Sequence, residues 1–253
     1  MSVLLVERDG PIARLTLNRP AAGNALDLEL ARALRDSAKT LSADDTCAVI
    51  LIDARGALFC GGGDVAAMSA AESPADYVRE LAGTVHEALL TLAASDTVVI
   101  SAVHGAAAGG GFGIVLNSDY VVAAETATFV SAYSKVGLSP DCGSSYLLPR
   151  VVGSTRATEF AIVGRPLDAA TARDWGVVNA VEPTEQVGAT AMRAADRVAG
   201  MPPAARAASK RLLAASWLPG YREHLDDERD TIAQLTDTAD SERLRAAFLS
   251  HGK

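Results

Sequence analysis

Cysteine is scarce: the 253-residue chain has three, Cys47, Cys60 and Cys142, scattered and odd in number. No CxxC pair or Cys/His cluster accompanies them, so no disulfide framework and no metal site are expected, and a reducing, cytoplasmic setting fits best. Basic residues are in deficit. With 23 Lys and Arg against 31 Asp and Glu, the formal net charge is -8 and the pI about 5.0. Phosphate-backbone binding needs clustered cations, so a nucleic-acid partner is not expected. A local basic patch for a phosphorylated cofactor is still compatible with that total. Long apolar runs are missing too. The best, Thr97–Val103, has only the length of a strand, so no membrane span is expected. The first eight residues lack the basic region and apolar core of a secretory signal. Repeats and low-complexity linkers are absent. What remains is 49% hydrophobic and 21% charged, an ordinary globular composition in a chain long enough to bury its own core.

The apolar pattern predicts strands alternating with helices. Pro11–Asn18 alternates, with Ala13, Leu15 and Leu17 on one face, as a half-buried strand does. Asp27 is placed to cap a helix with the stripe Leu30, Ala31, Leu34, Ala38 and Leu41. Cys47–Asp53 and Thr97–Val103 read as buried strands, and Tyr120–Ala124 and Ala127–Val130 as two more. Ser73-Pro74 opens a long helix with the stripe Val78, Leu81, Val85, Leu89 and Leu92, proline being tolerated at its first position. The spacing predicts a loop over His104–Gly113 and N-caps at Ser154 and Asp168. A last strand is expected at Val177–Val181, and amphipathic helices over the C-terminal part. The expected class is α/β with a core over 1–200 and a helical region over 201–253. The apolar faces of that region need a cover, supplied in cis or by a neighbouring subunit.

Two glycine runs stand out. Gly61-Gly62-Gly63-Asp64 and Gly109-Gly110-Gly111-Phe112-Gly113 each follow a predicted strand. Glycine permits positive φ and close approach to the main chain, and a helix start presents free N–H groups. Two such loops on neighbouring strands can aim two amides at one oxygen, an oxyanion hole. The plain alternative, glycines that only permit tight turns, suits a lone glycine better than two triplets. Gly61-x-Gly63-x-x-Ala66 formally matches a dinucleotide fingerprint, but the first glycine should sit at the strand end, and Ala54–Cys60 intervenes. No Gly-Lys-Ser/Thr follows either run, which excludes a P-loop.

In chain order, the landmarks are Leu17-Asn18-Arg19-Pro20 with Asn24-Ala25-Leu26, then Phe59-Cys60-Gly61-Gly62-Gly63-Asp64, then His104-Gly105 through Gly109-Gly110-Gly111. Ser118-Asp119, Lys135 through Asp141, and Ala169-x-x-Ala172 with Trp175-Gly176-Val177-Val178 complete the series. Together they resemble the crotonase (enoyl-CoA hydratase/isomerase) superfamily over essentially the whole chain. The resemblance implies an α/β spiral of ββα units, with a helical C-terminal region that builds a homotrimer or a homohexamer of two trimers. The implied ligand is an acyl-CoA thioester, with no cofactor beyond its CoA moiety, no metal, no membrane and no nucleic acid. Carried over by position, Gly63 and Gly110 supply the oxyanion-hole amides. Ala22, Gly23, Ala25, Gly61, Asp64 and Val65 border the CoA, and Phe248 matches a residue that reaches a neighbour's CoA. His251 stands where relatives often carry a lysine.

The two glutamates that hold water in hydratases of this superfamily are replaced by Gly113 and Tyr133, so a base for water and an acid for the α-carbon are both missing from those positions. Asp141 remains. Gly137-Leu138-Ser139-Pro140-Asp141 resembles the isomerase branch that includes phenylacetate-pathway and Δ3,Δ2-enoyl-CoA isomerases, where the aspartate after proline is the proposed base. One carboxylate can take a proton from one carbon and return it to another. Burial is expected to raise its pKa. A turn or cap role for Asp141 is the alternative, since Pro-Asp-x-Gly is also a turn sequence. Gly113, Tyr133 and Leu138 are the expected substrate pocket. Asp64 is read as a helix cap, Asp119 as a turn residue, His104 as a loop anchor, and Cys60 and Cys142 as packing residues. A hydratase with other acid/base groups and an acyl-CoA binder without catalysis are the competing functions.

Overall fold

The computed structural model describes residues 2–251. The chain starts with an antiparallel hairpin of β1 (Leu4–Asp9) and β2 (Ile12–Leu17), Leu4 lying opposite Leu17. Helix α1 (Leu28–Ser42) follows. The Asp27 carboxylate accepts the Leu30 amide at 2.8 Å, and the buried side chains are Leu30, Ala31, Leu34, Ala38 and Leu41, the stripe expected from the sequence.

Three turns of a spiral come next. Each sends a strand into the main sheet, steps to a second layer, and ends in a helix. In the first, β3 (Val49–Ala54) leads to Cys60, which bridges to Ala107, and then to α2 (Val65–Ala70). The long α3 (Pro74–Ala94) returns the chain. In the second turn β4 (Val98–Val103) leads to β5 (Ala106–Ala108) and α4 (Gly110–Leu116). In the third β6 (Tyr120–Ala124) leads to β7 (Thr128–Val130) and α5 (Ser144–Val152). The chain then runs through α6 (Ser154–Thr158), β8 (Leu167–Asp168), α7 (Ala169–Asp174), β9 (Ala180–Glu182) and α8 (Val187–Ala199). Three helices close it: α9 (Pro203–Ala214), α10 (Tyr221–Thr236) and α11 (Ala239–His251).

The main sheet has the order β1-β2-β3-β4-β6-β9, parallel except for the β1/β2 hairpin. The second sheet is β5-β7-β8. Helix α8 covers β3, β4 and β6, which explains why these strands are almost continuously apolar rather than alternating. Helix α3 packs against α1 and α10. No helix among the described residues is long and apolar enough to cross a membrane.

Four local expectations need correction. The stretch 104–113 is not one loop, because β5 and the first turn of α4 lie within it. Gly153, not Ser154, occupies the N-cap of α6, and no side-chain oxygen caps that helix. The last strand covers Ala180–Glu182; Val177 and Val178 are buried in the turn before it. β1 was not foreseen, since as an edge strand most of its side chains face solvent and no apolar alternation marks it.

Candidate active site

A cavity of about 650 Å³ opens where the spiral's second layer meets the helices. Both glycine loops border it. In the first, Leu26 donates to the Gly62 carbonyl at 2.7 Å and Asp64 donates to the Leu26 carbonyl at 2.9 Å. That parallel bridge uses the groups on either side of Gly63 and turns the Gly63 amide away from Leu26. In the second loop, Gly110 is the first residue of α4, and the first intrahelical bond is Gly113 to Gly109 at 3.1 Å. The Gly110 amide therefore has no partner within the helix.

The loops touch. A Cβ on Gly62, at φ 95°, would lie 2.9 Å from the Ala108 carbonyl oxygen and 3.5 Å from Gly109 Cα. Only glycine allows that approach. Asp64 caps α2, accepting from Ala67 at 3.0 Å, which fixes the chain directly after Gly63.

Ala22, Gly23, Ala25, Gly61 and Val65 line the cavity with Asp64. Their segment is held rigidly. Asn24 is fully buried at φ 55° and donates to the Arg55 and Leu58 carbonyls, both at 2.8 Å. Gly61 donates to Gly23 at 2.9 Å. Arg19 bonds the Ala25 carbonyl and pairs with Asp27 at 2.8 Å and Asp64 at 3.0 Å.

The inner wall is apolar: Val78, Leu81, Ala82 and Val85 from α3 and Ile232 from α10. Tyr133 and Leu138, the expected pocket residues, also line the cavity, and so does Phe248, which the resemblance assigns to a neighbour's CoA. Gly113 does not. A Cβ there would fall 2.4 Å from Cys142 Cβ, so Cys142 occupies the space in front of it. The side chain of His251 lies outside the described residues.

Asp141 lines the same cavity, 6% exposed. Its Oδ1 lies 2.6 Å from His86 Nε2. Its Oδ2 meets the Cys142 thiol at 3.5 Å, the Cys142 amide also bonds the carboxylate, and the Asp141 carbonyl accepts the Tyr133 hydroxyl at 3.0 Å. Burial pushes this carboxyl up. The His86 charge and hydrogen bond and the bonds from Cys142 outweigh that and leave it below the usual carboxylate range. The expectation of a raised pKa is thus reversed, because the sequence gives no sign of a cation at Asp141. Burial pulls His86 down, but Asp141, by charge and hydrogen bond, and Glu228, by charge, lift it above its ordinary value. Cys142 follows Asp141 at φ 58°, a left-handed conformation that is unfavourable for a side chain and recurs at functional loops.

His86 and Glu228 escaped the sequence reading. Each had a signal, a polar residue set into an apolar helix stripe: His86 beside Val85 and Leu89, Glu228 between Leu225 and Ile232. Glu228 is 5% exposed and accepts from the Gly143 amide at 2.7 Å and the Ser145 amide at 3.0 Å. The roles read for His104 and the cysteines hold, whereas Asp119, read as a turn residue, instead ties β4 and Lys210 together. His104 bonds the Gly56 carbonyl at 2.9 Å, and Asp119 accepts the Val99 amide at 2.7 Å. Burial raises the Cys60 thiol to about 12 and the Cys142 thiol well above its ordinary value.

His86, Asp141 and Cys142 offer ligand atoms within 4.8 Å of one another. Two ligands on one tetrahedral zinc sit about 3.3 Å apart, given bonds of roughly 2.0 Å. The 2.6 Å between His86 and Asp141 is instead a charge-assisted hydrogen bond, and burial keeps the thiol protonated.

This fold and cavity define a crotonase-type protein. The chain belongs to the enoyl-CoA hydratase/isomerase family, which it matches over residues 7–253. It is 34% identical to 1,2-epoxyphenylacetyl-CoA isomerase of Escherichia coli over 99% of this chain and 96% of the relative. It is 32% identical to trans-2-decenoyl-[acyl-carrier-protein] isomerase of Streptococcus mutans, over 96% and 94% of the two chains. Among solved structures it is similar to an enoyl-CoA hydratase from Mycobacterium avium subsp. paratuberculosis, with a TM-score of 0.89, 28% identity, and 97% and 98% of the two chains covered.

Proposed function

We propose that the protein isomerises an unsaturated acyl-CoA thioester by moving one proton. The thioester oxygen takes the amides of Gly63 and Gly110, and Asp141 Oδ2 removes a proton from the carbon next to the carbonyl. The negative charge passes to the thioester oxygen as an enolate, which the two amides stabilise. Asp141 then returns the same proton two carbons along, and the double bond moves. Neither water nor a second carboxylate is consumed.

The observation that carries this reading is Asp141 itself. Of the acidic side chains lining the cavity, Asp64 is spent on a helix cap and on Arg19, whereas Asp141 holds Oδ1 on His86 and meets no cation at Oδ2, whose side-chain neighbour is the weakly donating Cys142 thiol. Gly113 and Tyr133 bring no carboxylate, which disfavours water addition. The isomerase names of two relatives support the same choice. The CoA arm is placed along Ala22, Gly23, Ala25, Gly61, Asp64, Val65 and Phe248, with no other cofactor. Residues 201–253 are the proposed oligomerisation region of a trimer or hexamer. Leu212 and Leu213 of α9, 63% and 77% exposed, support this, and a monomer in light scattering would count against it. The cytoplasm is the proposed compartment.

The test is turnover of a Δ3-enoyl-CoA by wild type and by Asp141→Asn. The variant should lose about 10²- to 10⁴-fold in kcat. Full retention would remove Asp141 as the base. Hydration of crotonyl-CoA by wild type at rates matching isomerisation would favour a hydratase.

A further inference from the structure

We propose that His86 is the positioning residue of Asp141: its Nε2–H pins Oδ1 and leaves Oδ2, beside the weakly donating Cys142 thiol, to carry the proton. The inference rests on the reading of Asp141 as the base. His86 stands on α3, 55 residues before Asp141 in the chain. It is buried, 4% exposed, and is absent from the residues that line the cavity. It therefore acts on the substrate only through Asp141.

The physical need is plain. A carboxylate at 6% exposure with no cation beside it would hold its proton to a higher pH, and less of the enzyme could begin the reaction. The groups facing His86 are Asp141 and Cys142 from the loop and Glu228 and Arg229 from α10. The Asp141 carboxylate at 2.6 Å favours the doubly protonated ring, and Glu228 adds to it only to the extent that it is ionised, against the Arg229 guanidinium. In the cycle His86 keeps both protons. When Oδ2 takes the substrate proton, Asp141 becomes neutral and the pair carries a net positive charge while the enolate is negative. Returning the proton restores the original ion pair. A free carboxyl group turning about its bond to Cβ would lose the alignment between the two carbons, and the Oδ1 bond prevents that.

His86→Gln keeps an N–H donor but removes the charge, and His86→Leu removes both. We expect the acid limb of the kcat profile to rise by about one to three pH units in His86→Gln, because Asp141 loses its cation. At pH 7 this shift alone should cost kcat less than about twofold with KM nearly unchanged, and the deficit should grow to about tenfold or more as the pH is lowered into the shifted limb. A purely structural role would lower activity equally at every pH, and that outcome would overturn the proposal. A second measurement needs no stable variant: histidine ¹⁵N signals of the wild-type protein across pH 5–9. The ring bonded to Asp141 should stay doubly protonated at pH 7, where a free histidine is mostly neutral. A neutral ring there also overturns it. Asp141→Asn separates the two ideas. If it stays active, the base reading has failed. If it is inactive while His86→Gln keeps the wild-type pH profile, only the role of His86 has failed.

Discussion

Glu228 Oε2 accepts the Gly143 amide at 2.7 Å, and that bond ties α10 to the loop that carries Asp141. A second bond, from the Ser145 amide to Glu228 Oε1 at 3.0 Å, doubles the tie. The helical C-terminal region thus braces the proposed catalytic loop from behind.

Burial, helped by the charge of Asp141, raises the Glu228 carboxyl from 4.5 to about 7. The folded protein therefore keeps a proton that the unfolded chain releases between those two values. Stability contributed by this group is present below pH 4.5 and is lost as pH rises toward 7. Glu228→Gln cannot titrate. The variant should be less stable than wild type at low pH, having lost acceptor capacity. The gap should then close, by up to about 3 kcal/mol, as pH passes through that window. Urea unfolding at pH 5 and pH 8 measures it. A gap that does not change would show that Glu228 is ionised throughout.

Gly62 tests the contact between the two glycine loops. At φ 95°, with the Ala108 carbonyl oxygen 2.9 Å from the position of a Cβ, alanine would be both strained and crowded. Gly62→Ala should move the Gly63 amide relative to the Gly110 amide. A displaced oxyanion donor costs roughly 10²- to 10³-fold in kcat. The substitution should be milder in stability, about 1–3 kcal/mol. Wild-type kcat in a folded Gly62→Ala protein would mean that the two amides do not share one oxygen.

Lys210 on α9 tests the join between the C-terminal helices and the sheet. Its ammonium is 8% exposed and donates to the carbonyls of Leu92 at 3.0 Å and Thr97 at 2.6 Å and to Asp119 at 2.8 Å. Lys210→Met preserves the aliphatic stem and strands three acceptors. Asp119 is a third exposed and still receives the Val99 amide, which softens the loss. The expected cost is about 2–4 kcal/mol in urea unfolding, with KM for the proposed isomerisation unchanged.

What the sequence made legible is what short-range rules encode. The Asp27 cap and its five-residue stripe sit within one helix, and the α3 stripe follows one period. The two glycine triplets announce the cavity because no side chain is needed to recognise them. The pair of His86 and Asp141 was hidden, since it joins elements 55 residues apart and no local pattern links them. Without His86 the burial rule gave the wrong direction for the Asp141 carboxyl. Gly113 failed as a pocket residue for a related reason. Cys142, brought over it by a left-handed backbone, fills the space.

That filling makes Gly113 the sharpest test of why this chain would isomerise rather than hydrate. A Cβ at Gly113 would lie 2.4 Å from Cys142 Cβ and 2.8 Å from the Cys142 carbonyl oxygen, so backbone has to move to admit any side chain. The carbonyl of Cys142 is itself held by Asn117 at 3.1 Å, and its thiol reaches Asp141 at 3.5 Å. Gly113→Ala should therefore cost about 1–3 kcal/mol in stability and should lower kcat for the proposed isomerisation by displacing Asp141. Gly113→Glu introduces the carboxylate that the resemblance implies for a hydratase at this position, yet it should not yield crotonyl-CoA hydration. The carboxylate has no room beside Cys142, and Tyr133 supplies no second one. Paired assays of hydration and isomerisation on the two variants decide it. Hydration by Gly113→Glu approaching the wild-type isomerisation rate would mean that a single side chain, and not the Cys142 backbone, separates the two reactions.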